Sequence, residues 1–180
     1  LTLEDAGQYK LVVTNAAGAT TSDTGTLTVI LSAPVIDALP AYSRGLSCAL
    51  TWPSVANATS YTVQISTDPA FNSIASSKTV SAPAVDFQGL VSGVRYYYRA
   101  TATDGVSTSI FSGIVSSTQD ATTPSVSITS PATGTNTANP TITVQGTAED
   151  ALSGIASVVV NGVPATTNDN FAHWSATIPL

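Results

Sequence analysis

Apolar and polar residues alternate with a period of two along most of this chain, and no window shows a sustained three-to-four residue apolar period. Leu46, Cys48, Leu50 and Trp52 fall on one face of a predicted strand, and Tyr61, Val63 and Ile65 repeat the pattern on the next. Near the start, Tyr9, Leu11 and Val13 alternate with Lys10, Val12 and Thr14; at the far end Trp174, Ala176 and Ile178 make another inward set. Turn chemistry separates these strands. Asn15-Ala16-Ala17-Gly18 offers positions tolerant of positive φ, and Ser66-Thr67-Asp68-Pro69-Ala70-Phe71 is a polar turn closed by an apolar anchor. Asn161-Gly162 lies between β-branched runs, which favours a type I′ hairpin whose twist matches its strands. The pattern predicts an all-β chain.

Three modules in series are predicted: 1–31, 32–120 and 121–180. The first supplies two strands, the second of them running to Leu27-Thr28-Val29-Ile30. A lone hairpin is marginal in water, so this segment is expected to be the least stable part of the chain. The second can build a core, since Trp52, Tyr61, Phe87 and Tyr96 each have ~150–250 Å² to bury. Asp120-Ala121-Thr122-Thr123-Pro124-Ser125 is a short polar joint to the third.

Composition narrows the classes of function. Charged residues make up 9% of the 180 residues and hydrophobic ones 43%, with a net charge of -6. Lys10, Arg44, Lys78, Arg95 and Arg99 are the only Lys and Arg residues, too scattered for the clustered cations that nucleic-acid binding needs. No apolar run approaches the ~20 residues of a membrane span. Cys48 is the single cysteine, so no intrachain disulfide forms; its strand parity marks it as a small core hydrophobe. A disulfide-free, low-charge β chain fits a bacterial extracellular or cell-surface setting.

Longer motifs carry resemblances. Asp5-Ala6-Gly7-Gln8-Tyr9, continued by Lys10 to Asn15, resembles the tyrosine-corner strand of an I-set-like immunoglobulin domain, with Leu11 where the cysteine would be. That element belongs near a domain's end, so the chain is expected to start inside a domain of a longer protein. Leu90-Val91-Ser92-Gly93-Val94-Arg95-Tyr96-Tyr97-Tyr98-Arg99-Ala100-Thr101-Ala102 resembles the corresponding run of fibronectin type III domains. The resemblance makes Trp52 the strand-B tryptophan, Tyr61 and Val63 the strand-C pair, Tyr96 the tyrosine corner and Leu90 a core leucine. The run from Ile128-Thr129-Ser130-Pro131 to Trp174-Ser175-Ala176-Thr177-Ile178-Pro179-Leu180 resembles a bacterial Ig-like domain of the glucodextranase-B-like type, which implies two further strands beyond it. The implied fold is a tandem of immunoglobulin-like and fibronectin type III β-sandwiches, both terminal modules truncated.

Little in the chain points to chemistry. His173 is the only histidine and lies outward by parity, a whole module away from Cys48. Paired carboxylates could serve glycoside hydrolysis only if they faced each other. The adjacent pairs Glu4–Asp5 and Glu149–Asp150 do not, because strand neighbours point to opposite faces. Calcium prefers several oxygens gathered where loops meet. Asp120 at the joint and Asp150 after a strand are the candidate ligands, with Glu149 and Asp169 nearby in sequence. Tyr97 is outward by parity and is the candidate glycan contact, with Tyr42 in a loop. Asn57-Ala58-Thr59 is a formal glycosylation sequon. The expectation is a non-catalytic spacer, adhesion or protein-interaction region of a secreted or cell-surface multidomain protein, partnered by other proteins or extracellular polysaccharide. The alternative is an accessory, carbohydrate-binding region of an extracellular glycoside hydrolase.

Overall fold

The computed structural model describes residues 5–180, which form strands and loops with no α-helix among them. Four short strands open the chain: β1 (Gly7–Tyr9), β2 (Val12–Asn15), β3 (Gly18–Thr21) and β4 (Gly25–Leu27). β2 pairs antiparallel with β3, and β1 with β4. The predicted turn forms at Asn15, whose Oδ1 accepts the Ala17 N–H at 2.9 Å. Tyr9 donates its hydroxyl to Asp5 O at 2.6 Å, a bond back to upstream backbone of the tyrosine-corner kind. Three expectations fail here: the second strand, predicted to run to Ile30, splits into β3 and β4 and ends at Leu27, and two more concern the first strand. The strand predicted through residues 9–14 breaks at Lys10-Leu11, where Leu11 N–H bonds the Ser22 hydroxyl instead. Tyr9, Leu11 and Val13 are 54%, 66% and 62% exposed, because among the described residues no sheet faces them. The expected pair Glu4–Asp5 falls partly outside the described residues.

The next seven strands are β5 (Tyr42–Arg44), β6 (Ser47–Thr51), β7 (Ser60–Ser66), β8 (Ser76–Val80), β9 (Ala84–Gln88), β10 (Arg95–Thr103) and β11 (Val115–Asp120). They make a five-stranded sheet of order β5-β11-β10-β7-β8 and a two-stranded sheet of β6 and β9. β7 pairs antiparallel with both β10 and β8, whereas β5 and β11 run parallel. The predicted inward sets are buried: Cys48, Leu50 and Trp52 on one strand, Tyr61, Val63 and Ile65 on the other. Leu46 is the exception, half exposed because it precedes β6 and its side chain is not yet within the sheet's alternation. Trp52 meets Tyr61 edge-on at 5.2 Å, and Phe87 lies 5.8 Å from Tyr98. The Tyr61 hydroxyl is satisfied by the Val55 N–H.

After β10 the chain does not pair as a regular strand. Ser109 and Ser112 give their N–H groups to Ala102 O and Ala100 O, and their hydroxyls accept the N–H of the same two alanines. Each serine thus does the work of a strand residue with one backbone and one side-chain group. Arg99 lies between the Phe71 and Phe111 rings, 4.2 and 3.8 Å from their centroids, and donates to Gln64 Oε1.

The last five strands are β12 (Ser125–Ser130), β13 (Thr141–Glu149), β14 (Val159–Val160), β15 (Val163–Pro164) and β16 (His173–Pro179). β12, β13 and β16 form one antiparallel sheet. The Asn161-Gly162 hairpin forms as predicted between β14 and β15, with φ of 48° and 84° at the two turn residues. Trp174, Ala176 and Ile178 are buried with Val144 and Ala148, against Ile155, Val158, Val160, Val163 and Phe171. Gly146 lets this core close. A Cβ there would stand 2.1 Å from Ser127 O and 2.2 Å from the Trp174 ring.

Two compact units result. One takes in the described residues up to Leu39 with Ala49–Phe87 and Tyr96–Ser116; the other gathers Pro40–Cys48, Gln88–Arg95 and Ser117–Leu180.

Candidate functional site at the 120–124 joint

Within the second unit, the end of β11 is fixed by its neighbours. Thr118 N–H donates to Ala41 O, Gly45 N–H to Asp120 O, Gln119 N–H to Val94 O and Gly93 N–H to Gln119 O. The Gln119 side chain is fully buried, and its amide NH2 reaches Gly45 O at 3.2 Å and Ser47 O at 3.0 Å in the orientation that satisfies both. Ser43 and Ser117 share a hydroxyl bond of 2.7 Å. These bonds seat Asp120, 7% exposed, at the end of β11.

Asp120 is an acceptor for the chain that follows it. Its Oδ1 takes the N–H of Thr122 at 3.0 Å and the Thr122 hydroxyl, and its Oδ2 takes Ser153 N–H at 3.1 Å. Hydrogen bonding from the Ser153 side chain, then from Thr122, holds this carboxyl down at about 2, below its ordinary 3.8. Asp150 builds the loop from the other side: its Oδ1 accepts Leu152 N–H and Gly154 N–H, both at 3.0 Å. Its Oδ2 lies 3.4 Å from the Thr122 hydroxyl. Asp120 and Asp150, singled out as calcium ligands by sequence, therefore line one cleft of about 430 Å³ with Tyr42, Arg44, Thr122 and Ser153. Backbone and hydroxyl donors fill most of their oxygen positions. Among the described residues no three His, Cys, Asp or Glu side chains gather as a metal site.

The other residues noted in the sequence lie apart from this cleft. Tyr97 is half-buried on β10, paired with Ser66 of β7. Cys48 is buried. His173 points outward, as predicted, and its Nδ1 lies 2.7 Å from Asp169 Oδ2. The His173 backbone N–H, then its ring, holds the Asp169 carboxyl down at about 2. Glu149 Oε1 accepts the Ser125 hydroxyl at 3.3 Å across β12 and β13. Asn57 is exposed in a turn with φ 65°.

Residues 124–180 match the family model described as Bacterial Ig domain. This meets the resemblance expected of the third module. No curated protein matches the chain. Among solved structures, the fn3 domain of human collagen alpha-1(XX) chain is 24% identical, with 53% of this chain and 88% of that one covered and a TM-score of 0.40. An Fn3-like protein from Clostridium thermocellum is 18% identical, with 53% and 96% covered and a TM-score of 0.39. A beta-1,2-glucanase from Parabacteroides distasonis is 22% identical, with 61% of this chain but 17% of the glucanase covered, at a TM-score of 0.43. Fibronectin type III domains, which the middle segment resembles, are thus among the similar structures. No helix of the described residues is long and apolar enough to cross a membrane.

Sequence reasoning missed Tyr42 and Arg44 as neighbours of the two acids. Their place follows from the parallel pairing of β5 with β11, which sets Arg44 opposite Asp120. The only local hint was Gly45, whose φ of 83° lets the chain turn directly after β5.

Proposed function

We propose that the chain is a non-catalytic spacer and interaction region of a secreted or cell-surface multidomain bacterial protein, with serial modules divided near residues 31 and 120. The bonding of Asp120 carries this reading. A buried carboxylate at a polar joint is committed to Thr122 and Ser153, so the acid that sequence offers as a candidate calcium ligand stiffens the connection instead. A spacer needs such stiffness to hold its modules in a string. The low charge and the lack of any disulfide partner for Cys48 agree with an extracellular bacterial setting.

Backbone ¹⁵N relaxation tests the reading. Residues 124–180 should tumble with residues 40–48 in the unaltered chain, and Asp120→Ala should free them to move faster. Independent tumbling before any substitution would refute the stiff joint.

A further inference from the structure

The cleft beside Asp120 has features that a purely structural joint does not require. Asp120 and Asp150 both lie near the Thr122 hydroxyl, but a hydroxyl has one proton to give. The much closer contact is with Asp120, which leaves Asp150 Oδ2 at 3.4 Å without a donor. Arg44 lines the same cleft, and its guanidinium makes no hydrogen bond or ion pair among the described residues. Tyr42, two residues earlier on β5, is 41% exposed and forms part of the wall. An open acceptor, an open planar donor fork and an aromatic ring therefore converge on one cavity of about 430 Å³. That size lies within the ~300–1,000 Å³ range of small-molecule sites, and a few convergent polar groups are what give such sites their specificity.

We propose that this cleft binds a neutral, hydroxyl-rich ligand: a sugar unit of a glycan. The hydrogen bonding selects that class. The lining carries two carboxylates and one guanidinium, which disfavours an anionic ligand. Asp120 is already taken up by Thr122 and Ser153, which leaves Asp150 as the free acceptor and Arg44 as the free donor, a pair that neighbouring neutral hydroxyls use together. Asp150 Oδ2 accepts from one hydroxyl, Arg44 donates to a neighbouring hydroxyl or ring oxygen, and Tyr42 packs on the apolar face of the ring. Asp120 has no part in recognition, since its own donors occupy it. This binding goes beyond the spacer reading and places the glycan contact away from Tyr97.

The test is an NMR titration of the 180-residue chain with neutral oligosaccharides (cello-, laminari-, xylo- and maltohexaose) and with a polyuronate as the charged control. At least one neutral oligosaccharide should shift amides at residues 42–44 and 150–154. Tyr42→Ala and Arg44→Gln should each weaken binding roughly tenfold with the melting temperature unchanged, and Tyr97→Ala should leave it intact. Three results would overturn the proposal: no shift with any neutral oligosaccharide at millimolar concentration, binding indifferent to Arg44→Gln, or binding of the polyuronate alone. The first is read on the unaltered chain and does not depend on any variant folding.

Discussion

Tyr9 and Tyr96 sit in similar sequence settings and meet different fates. Each opens an alternating run and each follows a glycine by two or three positions, yet Tyr9 is 54% exposed and Tyr96 only 7%. The local part of the signature survives at Tyr9: its hydroxyl still reaches Asp5 O, and the Asn15–Gly18 turn still closes. Burial does not follow. Around Tyr96 the alternation of β10 is matched by β7 and by the Trp52 and Phe87 rings. Corner, strand and turn are therefore set by neighbours in sequence, whereas a core needs a second apolar face from elsewhere.

The largest expected effect contrasts these two regions. Trp52→Ala removes a buried ring in edge contact with Tyr61 and should lower stability by ~3–5 kcal/mol. Leu11→Ser, at a position 66% exposed, should change it by less than ~0.5 kcal/mol. Denaturant midpoints measure both. A Trp52→Ala midpoint equal to the parent's would dissolve the contrast, and so would a large shift for Leu11→Ser.

Two glycines repeat the comparison on a smaller scale. Gly7 has no atom within 4 Å of where a Cβ would stand, so Gly7→Ala should be nearly silent. At Gly146 the new carbon would meet Ser127 O at 2.1 Å, a backbone atom held in the β12–β13 ladder. Gly146→Ala should therefore cost ~3 kcal/mol and alter the fluorescence of Trp174, whose ring lies 2.2 Å from the same point. Equal melting curves for the two substitutions would contradict the packing described for β13.

How much could be read in advance follows the same line between local and non-local. Alternation located the buried faces at Trp52, Tyr61 and Trp174, because a period of two says which side chains share a face. The Asn161-Gly162 hairpin was legible because only a few residues tolerate its backbone angles. Asp120 and Asp150 were singled out together as candidate calcium ligands, and the structure puts them in one cleft. Their actual bonding was not legible: donors from Ser153 and Thr122 depend on how the 150–154 loop folds back. Tyr42 and Arg44 join them only through a parallel strand pair, for which no short-range pattern exists. The serine pairing at Ser109 and Ser112 was hidden for a different reason. Spaced three apart, they break the period of two that marks a strand, although they satisfy its edge.

The smallest effect separates two carboxylates with the same shifted acidity. Asp120 and Asp169 are both held at about 2, one seated in the joint by Ser153 and Thr122, the other on a surface loop by His173. A carboxyl whose folded pKa lies below its unfolded value stabilises the fold fully above the unfolded pKa. That stabilisation is lost as pH falls from about 4 to about 2. The melting temperature should drop across that window and not above it. Asp120→Asn should flatten part of the drop, Asp169→Asn another part, and the double substitution both. The two differ in what else changes. Under the proposed stiffening, Asp120→Asn should speed the motion of residues 124–180, because an amide accepts less strongly from Ser153 and Thr122 than a carboxylate does. Asp169→Asn touches only the 167–173 loop and should leave that motion alone. If both substitutions changed the pH profile but neither changed the motion, the Asp120 bonds would be stabilising a local turn rather than stiffening the connection.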